Sequence, residues 1–322
     1  MLEIFKSIEK KTSDGKVSHI ITQIDEISEN TWIHLQEPTE EEMLLLEEKL
    51  DVSREFLTNP LDDEERPRVD VDEENGDTLI ILDIPYMMKD KKLWTVPLGI
   101  IIKKRYIITV SLRDVPLLEP FKTNQVKDLV VNFRNRFAIM ILLHAAKDYL
   151  KWLKYIDKKI ESTEKELARS TDNEQLYELL EVSKTLVYFS TSLKSDEAVL
   201  EKLTRWSVIL QYDEDQNLLE DVIIEFKQAR EMSDIYTSVV SHTMEAYASI
   251  INNNINEIMK IMAAATIALS VPTIISSFFG QNCPMPWDVG FSSNPIPFLI
   301  LTLAGFCSVI CAILILKKHR ML

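Results

Sequence analysis

The sequence Phe279-Gly280-Gln281-Asn282 separates two apolar runs near the C-terminal end of the chain. Ile261–Phe279 precedes the loop and Phe298–Leu316 follows it, and neither run contains a charged residue. A hydrocarbon core of about 30 Å requires roughly 20 apolar residues of helix, and a helix satisfies its own backbone polar groups in lipid. The sequence therefore predicts two transmembrane helices, joined by a short loop in which Asp288 is the single charge.

The charges that flank these runs predict the orientation of the chain. Lys260 comes just before the first run, and Lys317, Lys318 and Arg320 follow the second run. The loop 280–297 contains neither Lys nor Arg. Because basic residues tend to remain on the cytoplasmic side of a membrane, both termini are expected to be cytoplasmic. The sequence therefore predicts a multi-pass protein of the inner (plasma) membrane that contacts lipid.

The overall charge restricts the partners and activities of the chain. The formal net charge is -15, and nearly all of it lies before residue 261. Such acidity repels nucleic acid and attracts cations, although it also simply keeps a cytosolic domain soluble. The chain has only six glycines, without a phosphate-binding glycine loop, and no nucleophile is paired with a base. We therefore expect divalent cations as partners, no nucleic acid and no enzymatic activity.

Short β-rich runs alternate with helical patterns in the first 131 residues. An acidic helix start follows Thr39, as the helix dipole favours. β-branched runs predict strands at Val17–Ile24, Thr31–Leu35, Thr78–Ile84, Leu98–Ile102 and Tyr106–Val110. The expected fold class is α+β, with a cytosolic α/β domain built on a mixed sheet, a long helical stalk and a two-helix transmembrane hairpin.

Long helical patterns replace the strands from about residue 132. Apolar spacings of three and four predict a helix over Phe133–Ser170 and a second helix that ends near Trp206, which form an antiparallel hairpin. Ser170–Asp172 is expected to cap the second helix. A third helix is predicted to begin after the polar stretch Tyr212–Gln216 and to continue to Phe279, over roughly 95 Å at 1.5 Å per residue.

These patterns divide the chain into seven predicted parts. They are the cytosolic domain 1–131, the helical hairpin 132–212, the stalk 213–260, the first transmembrane helix 261–279, the extracellular loop 280–297, the second transmembrane helix 298–316 and the basic tail 317–322. A single two-helix hairpin cannot enclose a channel. Any pore must therefore be formed by several copies of the chain.

Polar residues in the third helix allow two interpretations. Four asparagines precede the membrane and form either a solvated collar or a ring of amide oxygens around an axis: Asn252, Asn253, Asn254 and Asn256. Four hydroxyl residues inside the membrane either pack helices together or line a pore: Thr266, Ser270, Thr273 and Ser277. Oxygen ligands without Cys or His clusters suit hard cations such as Mg²⁺.

The chain as a whole resembles the CorA magnesium transporter family. The resemblance is carried by Asn256–Lys260, Pro272-Thr273 and Phe279–Asn282, together with Glu65–Val69 in the soluble domain. It implies a homopentameric funnel whose first membrane helices line the pore, and a pore that closes when cytosolic Mg²⁺ binds between subunits. The family signature has methionine where this chain has Gln281, and this difference affects the expected ion preference more than the expected fold.

The resemblance also implies roles for individual residues. The ion filter is expected at Gly280, Gln281 and Asn282. The pore lining is expected at Asn256 and Met259 and at the four hydroxyl residues named above. A regulatory metal site is expected at Asp221, whose acidic partner in the family is replaced here by Asn59, with Asp62 and Asp63 nearby in the sequence. Mg²⁺ is then both the transported and the regulatory ion.

Three functions remain open at this point. The leading hypothesis is a Mg²⁺ channel, gated by cytosolic divalent cation, which also passes Co²⁺ or Ni²⁺. A zinc-transporting relative shares the fold and nearly the same signature. A non-conducting, membrane-anchored helical scaffold is the third hypothesis, but a scaffold has no use for Asn256, the hydroxyl residues and Gly280–Asn282 together.

Overall fold

The structure is a computed structural model. It describes residues 1–11, 17–72, 75–127, 129–167, 173–206, 212–280 and 296–318. The chain divides into two compact units, Met1–Thr243 and Met244–Leu322. The helix that contains residue 243 belongs to both units, and each unit is described below by itself.

A seven-stranded mixed sheet forms the centre of the first unit. The strands are β1 (Leu2–Lys11), β2 (Val17–Ile24), β3 (Thr31–Gln36), β4 (Arg68–Val71), β5 (Thr78–Met87), β6 (Leu93–Lys103) and β7 (Tyr106–Ser111). Their order across the sheet is β2-β1-β3-β7-β6-β5-β4. β3 and β7 pair in parallel, and the other neighbouring strands pair antiparallel. The predicted mixed sheet and the five predicted strands are thus confirmed.

Two strands, β1 and β4, were not predicted from the sequence. β1 carries Lys and Glu residues that mask its alternation, and β4 has only four residues. Both strands are held by pairing with a neighbour, since β1 lies between β2 and β3 and β4 pairs with β5. The sheet context therefore decides their structure.

Helices cover both faces of this sheet. Helix α1 (Glu40–Leu50) and helix α2 (Arg54–Thr58) pack on one face, where Leu46 and Leu57 join Ile33 and Leu35 of β3 in one apolar cluster. Trp32 points to the opposite face because successive strand residues alternate. It stacks on Phe5, with ring centroids 4.8 Å apart, and is fully buried.

The start of α1 is closed by a capping box. Thr39 Oγ1 accepts a hydrogen bond from the Glu42 backbone N–H at 3.3 Å, and Glu42 Oε2 accepts one from the Thr39 N–H at 2.9 Å. This reciprocal pair satisfies two helix N–H groups that otherwise lack partners. The predicted helix start after Thr39 is confirmed.

A close contact positions the chain after α2. Residues Asn59–Leu61 form a short 3-10 helix, and Gly99 of β6 lies directly beneath Pro60. A Cβ atom at position 99 would lie 2.7 Å from Pro60 Cβ, closer than real Cβ contacts. Glycine at position 99 therefore allows the segment that begins at Asn59 to lie against the sheet.

Long helices complete the first unit. After the short helix α3 (Glu119–Lys122), they are α4 (Arg134–Leu167), α5 (Asn173–Thr204) and α6 (Asp213–Phe279). The polar stretch Tyr212–Gln216 was expected to precede the third long helix, but the helix already begins at Asp213, the first residue of the predicted stalk. Asp213, Glu214 and Asp215 form the first turn, where acidic side chains interact favourably with the helix dipole. The predicted cap at Ser170–Asp172 lies outside the described residues.

The second unit consists of the C-terminal part of α6 and helix α7 (Ile296–Lys318). Within the residues that the structure describes, α6 alone is long and apolar enough to qualify as a membrane span by length and composition. In α7, the apolar stretch that the structure describes, Thr302–Ile315, is shorter than such a span. Lys317 and Lys318 are exposed at the end of α7, and Arg320 lies outside the described residues.

Candidate ion pathway and regulatory metal site

The residues predicted to line a pore share one face of α6. At 3.6 residues per turn, they lie within an arc of about 120° around the helix axis. The members of this polar face are Asn256, Met259, Thr266, Ser270, Thr273 and Ser277, with Gly280 at its edge. Their side chains are exposed or half-buried in the single chain. Between Asn252 and Gly280 the arc contains no charged residue.

The hydroxyl groups of this face are partly satisfied by the helix itself. Thr266 Oγ1 donates to the Met262 carbonyl at 2.8 Å, and Ser270 Oγ donates to the Thr266 carbonyl at 2.7 Å. Thr273 Oγ1 donates to the carbonyl four residues back in the same way, at 2.8 Å. Since the protons of these three hydroxyl groups are used within the helix, their oxygen lone pairs remain free to accept hydrogen bonds from outside.

The other sides of the same helical segment carry Glu257 and Lys260 at its start and exposed apolar residues after them. Leu269 is 71% exposed, and three isoleucines at other angles around the helix are also exposed: Ile258, Ile261 and Ile267. A soluble monomer rarely exposes so much contiguous apolar surface. This pattern is typical of a helix that contacts lipid or other helices on its apolar sides.

The predicted filter lies mostly outside the described residues. Gln281 and Asn282 belong to this undescribed part of the chain. Gly280 is described, and its N–H donates to the Ser276 carbonyl at 2.9 Å, so the backbone still follows the helix at this residue. The filter assignment therefore remains a prediction.

The predicted regulatory residues near α2 have partners within the chain. Asn59 is half-buried and ends α2. Asp62 Oδ1 accepts a hydrogen bond from the Glu64 N–H at 3.0 Å, and Asp63 forms an ion pair with Arg113 at 2.6 Å. The hydrogen bond from Arg113 to Asp63 raises the pKa of the Arg113 guanidinium. The negative charge of Asp63 is therefore balanced before any metal binds.

The sequence interpretation missed Arg113 as the partner of Asp63. The two residues are fifty positions apart, and Arg113 is the second residue after β7. A basic residue shortly after a predicted strand was the only feature of the sequence that could have indicated this ion pair. The pairing itself depends on how the segment at Asn59 lies against the sheet.

Asp221 lies on α6 and is exposed in the single chain. In the described part of one chain, no group of three or more His, Cys, Asp or Glu side chains is arranged to hold a metal ion. Divalent cations of the Mg²⁺ type require about six oxygen ligands, several of which are usually water. A metal ion at Asp221 therefore needs water molecules or residues of a second copy to complete its coordination.

Comparisons with known proteins agree with this geometry. A family model described as CorA-like Mg²⁺ transporter protein matches residues 28–318. The cobalt/magnesium transport protein CorA of Methanocaldococcus jannaschii (strain ATCC 43067 / DSM 2661 / JAL-1 / JCM 10045 / NBRC 100440) is 30% identical over 277 residues, which cover 84% of this chain and 86% of the relative.

Solved structures show the same fold. The complete structure of the CorA magnesium transporter from M. jannaschii has a TM-score of 0.83 at 25% identity and covers 99% of this chain and 98% of that chain. The cytoplasmic domain of ZntB from Vibrio parahaemolyticus RIMD 2210633 has a TM-score of 0.61 at 13% identity, covers 78% of this chain and 98% of that chain, and shows likeness of fold alone. Because the family model spans most of the sequence and the full-length fold agrees, this chain belongs to the CorA-like Mg²⁺ transporter family.

Proposed function

We propose that this chain is one subunit of a homopentameric channel that carries hydrated Mg²⁺ into the cell, with Co²⁺ and Ni²⁺ as further permeant ions. The observation that carries this proposal is the polar face of α6, where neutral oxygens form a stripe that continues through the uncharged, mostly apolar segment after Lys260. Each subunit contributes one such face to a central pore. The family membership of the chain supports the same conclusion.

The need for several copies follows from exposed apolar residues in the first unit. Along α6, Ile224 is 61% exposed and Ile235 is 58% exposed, and Val239 is exposed near them. These side chains lie in a segment that is too polar to enter a membrane. Contact with neighbouring copies would remove them from water, and a head-to-tail interface whose rotation closes produces a ring.

The chemistry of the polar face favours a hydrated cation over a bare one. Mg²⁺ binds oxygen ligands and gives up its water reluctantly. Neutral hydroxyl and amide oxygens accept hydrogen bonds from the water shell of the ion without trapping the ion by charge. A membrane potential of -100 mV supplies about 4.6 kcal/mol for the entry of a divalent cation. A coupled energy source is therefore unnecessary.

The selectivity of the proposed channel is assigned to Gly280, Gln281 and Asn282 at the outer mouth. The carbonyl oxygens and the Asn282 amide are expected to contact the water shell of the arriving ion. Gln281 adds a second amide oxygen where the family has methionine, and oxygen ligands suit hard cations such as Mg²⁺. The second candidate is a channel of the same fold that conducts Zn²⁺. Both candidates use the same pore.

The proposed arrangement in the membrane places both termini in the cytoplasm and the loop 280–297 outside. Lys317, Lys318 and Arg320 then lie where anionic lipid headgroups attract basic side chains. Closure is assigned to Mg²⁺ bound between Asp221 of one subunit and the Asn59–Asp63 segment of the next. The domain boundaries expected from the sequence apply to each subunit of this assembly.

The test is ion flux into proteoliposomes that contain the purified full-length protein. We expect Mg²⁺ influx that increases with an inside-negative potential, and slower Zn²⁺ influx under the same gradient. Replacing Thr266 and Ser270 by Val and Ala removes two oxygens from the polar face and is expected to reduce Mg²⁺ flux at least tenfold. Ser276→Ala, on another side of the same helix, is the matched control and should leave flux unchanged. An assembled protein that conducts neither ion would support the scaffold and exclude the proposal.

A further inference from the structure

A buried cluster of oxygen-bearing side chains joins the sheet to the helical hairpin. The cluster consists of Asp83 of β5, Thr95 of β6, Tyr149 of α4, and Ser192 and Asp196 of α5. Its members lie far from the polar face in the sequence, and the proposed ion pathway does not use them. We refer to Asp83 and Asp196 as the carboxyl pair.

Hydrogen bonds connect both helices to β5 at this cluster. The Asp83 backbone N–H donates to Asp196 Oδ1 at 2.9 Å, and the Tyr149 hydroxyl donates to the Asp83 carbonyl at 3.1 Å. Ser192 Oγ lies 2.6 Å from Asp83 Oδ2 and 2.9 Å from Thr95 Oγ1. The docking of α4 and α5 on this part of the sheet therefore includes contacts made through the carboxyl pair.

One oxygen of the pair has no partner. Asp196 is 1% exposed, and its Oδ2 is buried without a hydrogen-bond partner. No described Lys, Arg or His forms an ion pair with either carboxyl group. The titratable group that interacts with both members of the pair is Tyr149 of α4, and it supplies no positive charge at neutral pH.

Two carboxylates without a cation are strongly disfavoured in such a place. Burial raises the pKa of Asp196 well above its usual value, and the neighbouring Asp83 raises it further. Burial also raises the pKa of Asp83, while the hydrogen bond from Ser192 opposes this change. The hydrogen bond favours the ionised form of Asp83, which leaves Asp196 as the group that keeps a proton.

We propose that the Asp83–Asp196 pair holds one proton at neutral pH, on the unpartnered Oδ2 of Asp196, and that loss of this proton releases α5 from the sheet. The pair is thus a proton-operated latch within the first unit. Release of α5 also affects α6, because Arg230 of α6 donates to Glu197 of α5 at 2.9 Å and Ser233 Oγ of α6 donates to the Leu186 carbonyl of α5 at 3.2 Å. The latch concerns the fold of the first unit and is independent of the proposed ion pathway.

The direction of the pH effect follows from the raised pKa values. A buried acid with a raised pKa stabilises the folded state at low pH relative to high pH, because the unfolded chain releases its proton first. The stabilisation that the buried proton gives the folded state is complete below the ordinary pKa of aspartic acid. It declines as the pH rises towards the pKa that Asp196 has in the folded protein. We therefore expect α5 to loosen at alkaline pH while the rest of the unit remains folded.

Two measurements on the full-length protein in detergent test the latch. Infrared spectroscopy at neutral pH should detect the C=O stretch of a protonated buried carboxyl group, and Asp196→Asn should remove it. Hydrogen exchange should show that α5 loses protection as the pH rises in the wild type, after correction for the intrinsic exchange rate. Asp196→Asn keeps the shape of the side chain without an ionisable proton, so its protection should no longer depend on pH. Asp157→Asn, at an exposed position of α4, is the matched control.

Specific outcomes would overturn the proposal. A protonated-carboxyl signal that persists in Asp196→Asn would place the proton elsewhere. A signal that disappears from the wild type when Mg²⁺ is added would show that a metal ion displaces the proton, so that the pair is a metal site and not a proton-operated latch.

If Asp196→Asn does not fold, Ser192→Ala provides the second test. It removes a hydrogen bond that favours ionised Asp83, so the alkaline loosening of α5 should move to higher pH, and an unchanged midpoint would contradict the latch.

Discussion

At the scale of single residues, Asn282 and His34 illustrate two kinds of role, one predicted from a sequence motif and one seen only in the fold. Asn282 offers an amide oxygen at the predicted outer mouth, and the filter role proposed for it rests on the sequence motif. His34, by contrast, lies in the sheet and has a role that only the folded structure reveals. Its Nδ1 is 2.9 Å from Thr109 Oγ1, and its ring lies beside Trp32.

We expect Asn282→Ala to reduce Mg²⁺ flux at least tenfold, because the hydrated ion loses its amide contact at the pore entrance. Gln281→Met, which restores the residue expected from the family signature, should preserve or increase Mg²⁺ flux. Asn294→Ala provides a control within the same loop. Flux is measured in proteoliposomes with equal amounts of reconstituted protein. Normal Mg²⁺ transport by Asn282→Ala would show that the filter is elsewhere.

Acid is expected to destabilise the first unit through His34. Burial lowers the pKa of His34 from 6.5 to about 3, so the folded protein holds the ring neutral while the unfolded chain binds a proton below pH 6.5. The stability due to this residue is complete above pH 6.5 and declines as the pH falls towards 3, by up to about 1.4 kcal/mol per pH unit. Denaturant unfolding at pH 7 and pH 5 measures this decline.

The matched variant for this measurement is His34→Gln, which keeps a polar side chain but cannot gain a proton. It should be less stable than the wild type at pH 7 and should show a weaker dependence on pH between 7 and 5. Trp fluorescence reports on the unfolding of the sheet because Trp32 is buried beside His34. An equal pH dependence in both proteins would mean that other groups control acid stability.

At the scale of secondary-structure elements, the sheet determines where the predicted regulatory segment lies. The Asn59–Leu61 helix rests on β6 because Gly99 has no side chain at the point of contact with Pro60. The same placement brings Asp63 to Arg113. One glycine of β6 thus influences the position of three residues that the sequence assigned to metal regulation.

Gly99→Ala should therefore displace the Asn59–Leu61 helix and destabilise the protein. Forced overpacking of this kind costs about 1–3 kcal/mol, which should lower the unfolding temperature by several degrees. Gly305→Ala is the control, since a Cβ at that position meets no atom within 4 Å in the chain. Combining Gly99→Ala with Pro60→Gly should recover part of the loss. A double variant that is no more stable than Gly99→Ala would show that Pro60 is not the obstacle.

At the scale of the whole molecule, the proposed ring explains features that a single chain leaves unsatisfied. The polar face of α6 and the exposed apolar residues of its first part both require neighbours. Asp221 likewise lacks enough ligands in the described part of its own chain to hold a metal ion. Assembly of the ring would supply neighbours for the polar face, for the apolar residues and for Asp221 at the same time. Oligomeric state and gating therefore need separate experiments.

Native mass spectrometry of the protein in detergent should detect pentamers. Ile235→Glu places a charge in the proposed contact and should shift the population towards monomers. Val187→Glu changes a similarly exposed apolar residue on α5 and should leave the pentamer intact. A wild-type protein that forms only monomers or dimers would exclude the proposed ring.

Gating by cytosolic Mg²⁺ should depend only modestly on Asp221. Its expected partner is the neutral Asn59, and Asp63 is already paired with Arg113, so few uncompensated charges attract a Mg²⁺ ion to this boundary. We expect Asp221→Asn to change closure only slightly, whereas Asn59→Asp should allow closure at lower Mg²⁺. Flux is measured against Mg²⁺ on the cytoplasmic side, with Glu231→Gln as the control on α6. An Asp221→Asn channel that never closes would show that this one acid governs the gate.

Local patterns in the sequence were sufficient for the fold class, for the long helices and for five of the seven strands. The β-branched runs of β2, β3, β5, β6 and β7 predicted strands, and the uninterrupted pattern between Asn217 and Phe279 predicted one long helix. Side-chain alternation and helical periodicity are properties of consecutive residues, so they can be read without knowledge of the fold. The uncharged runs on either side of Gly280 likewise predict a membrane hairpin, because their length and apolar composition match the thickness of a bilayer.

Only the tertiary structure decided which distant residues meet. β1 and β4 depend on their neighbours in the sheet, and the pairs Asp63–Arg113 and Asp83–Asp196 join residues that are 50 and 113 positions apart. Nothing in the local sequence distinguishes buried Asp196 from the exposed acids of the same helix. The difference arises because α5 packs against the sheet, and burial, not residue type, determines whether a carboxyl group keeps its proton.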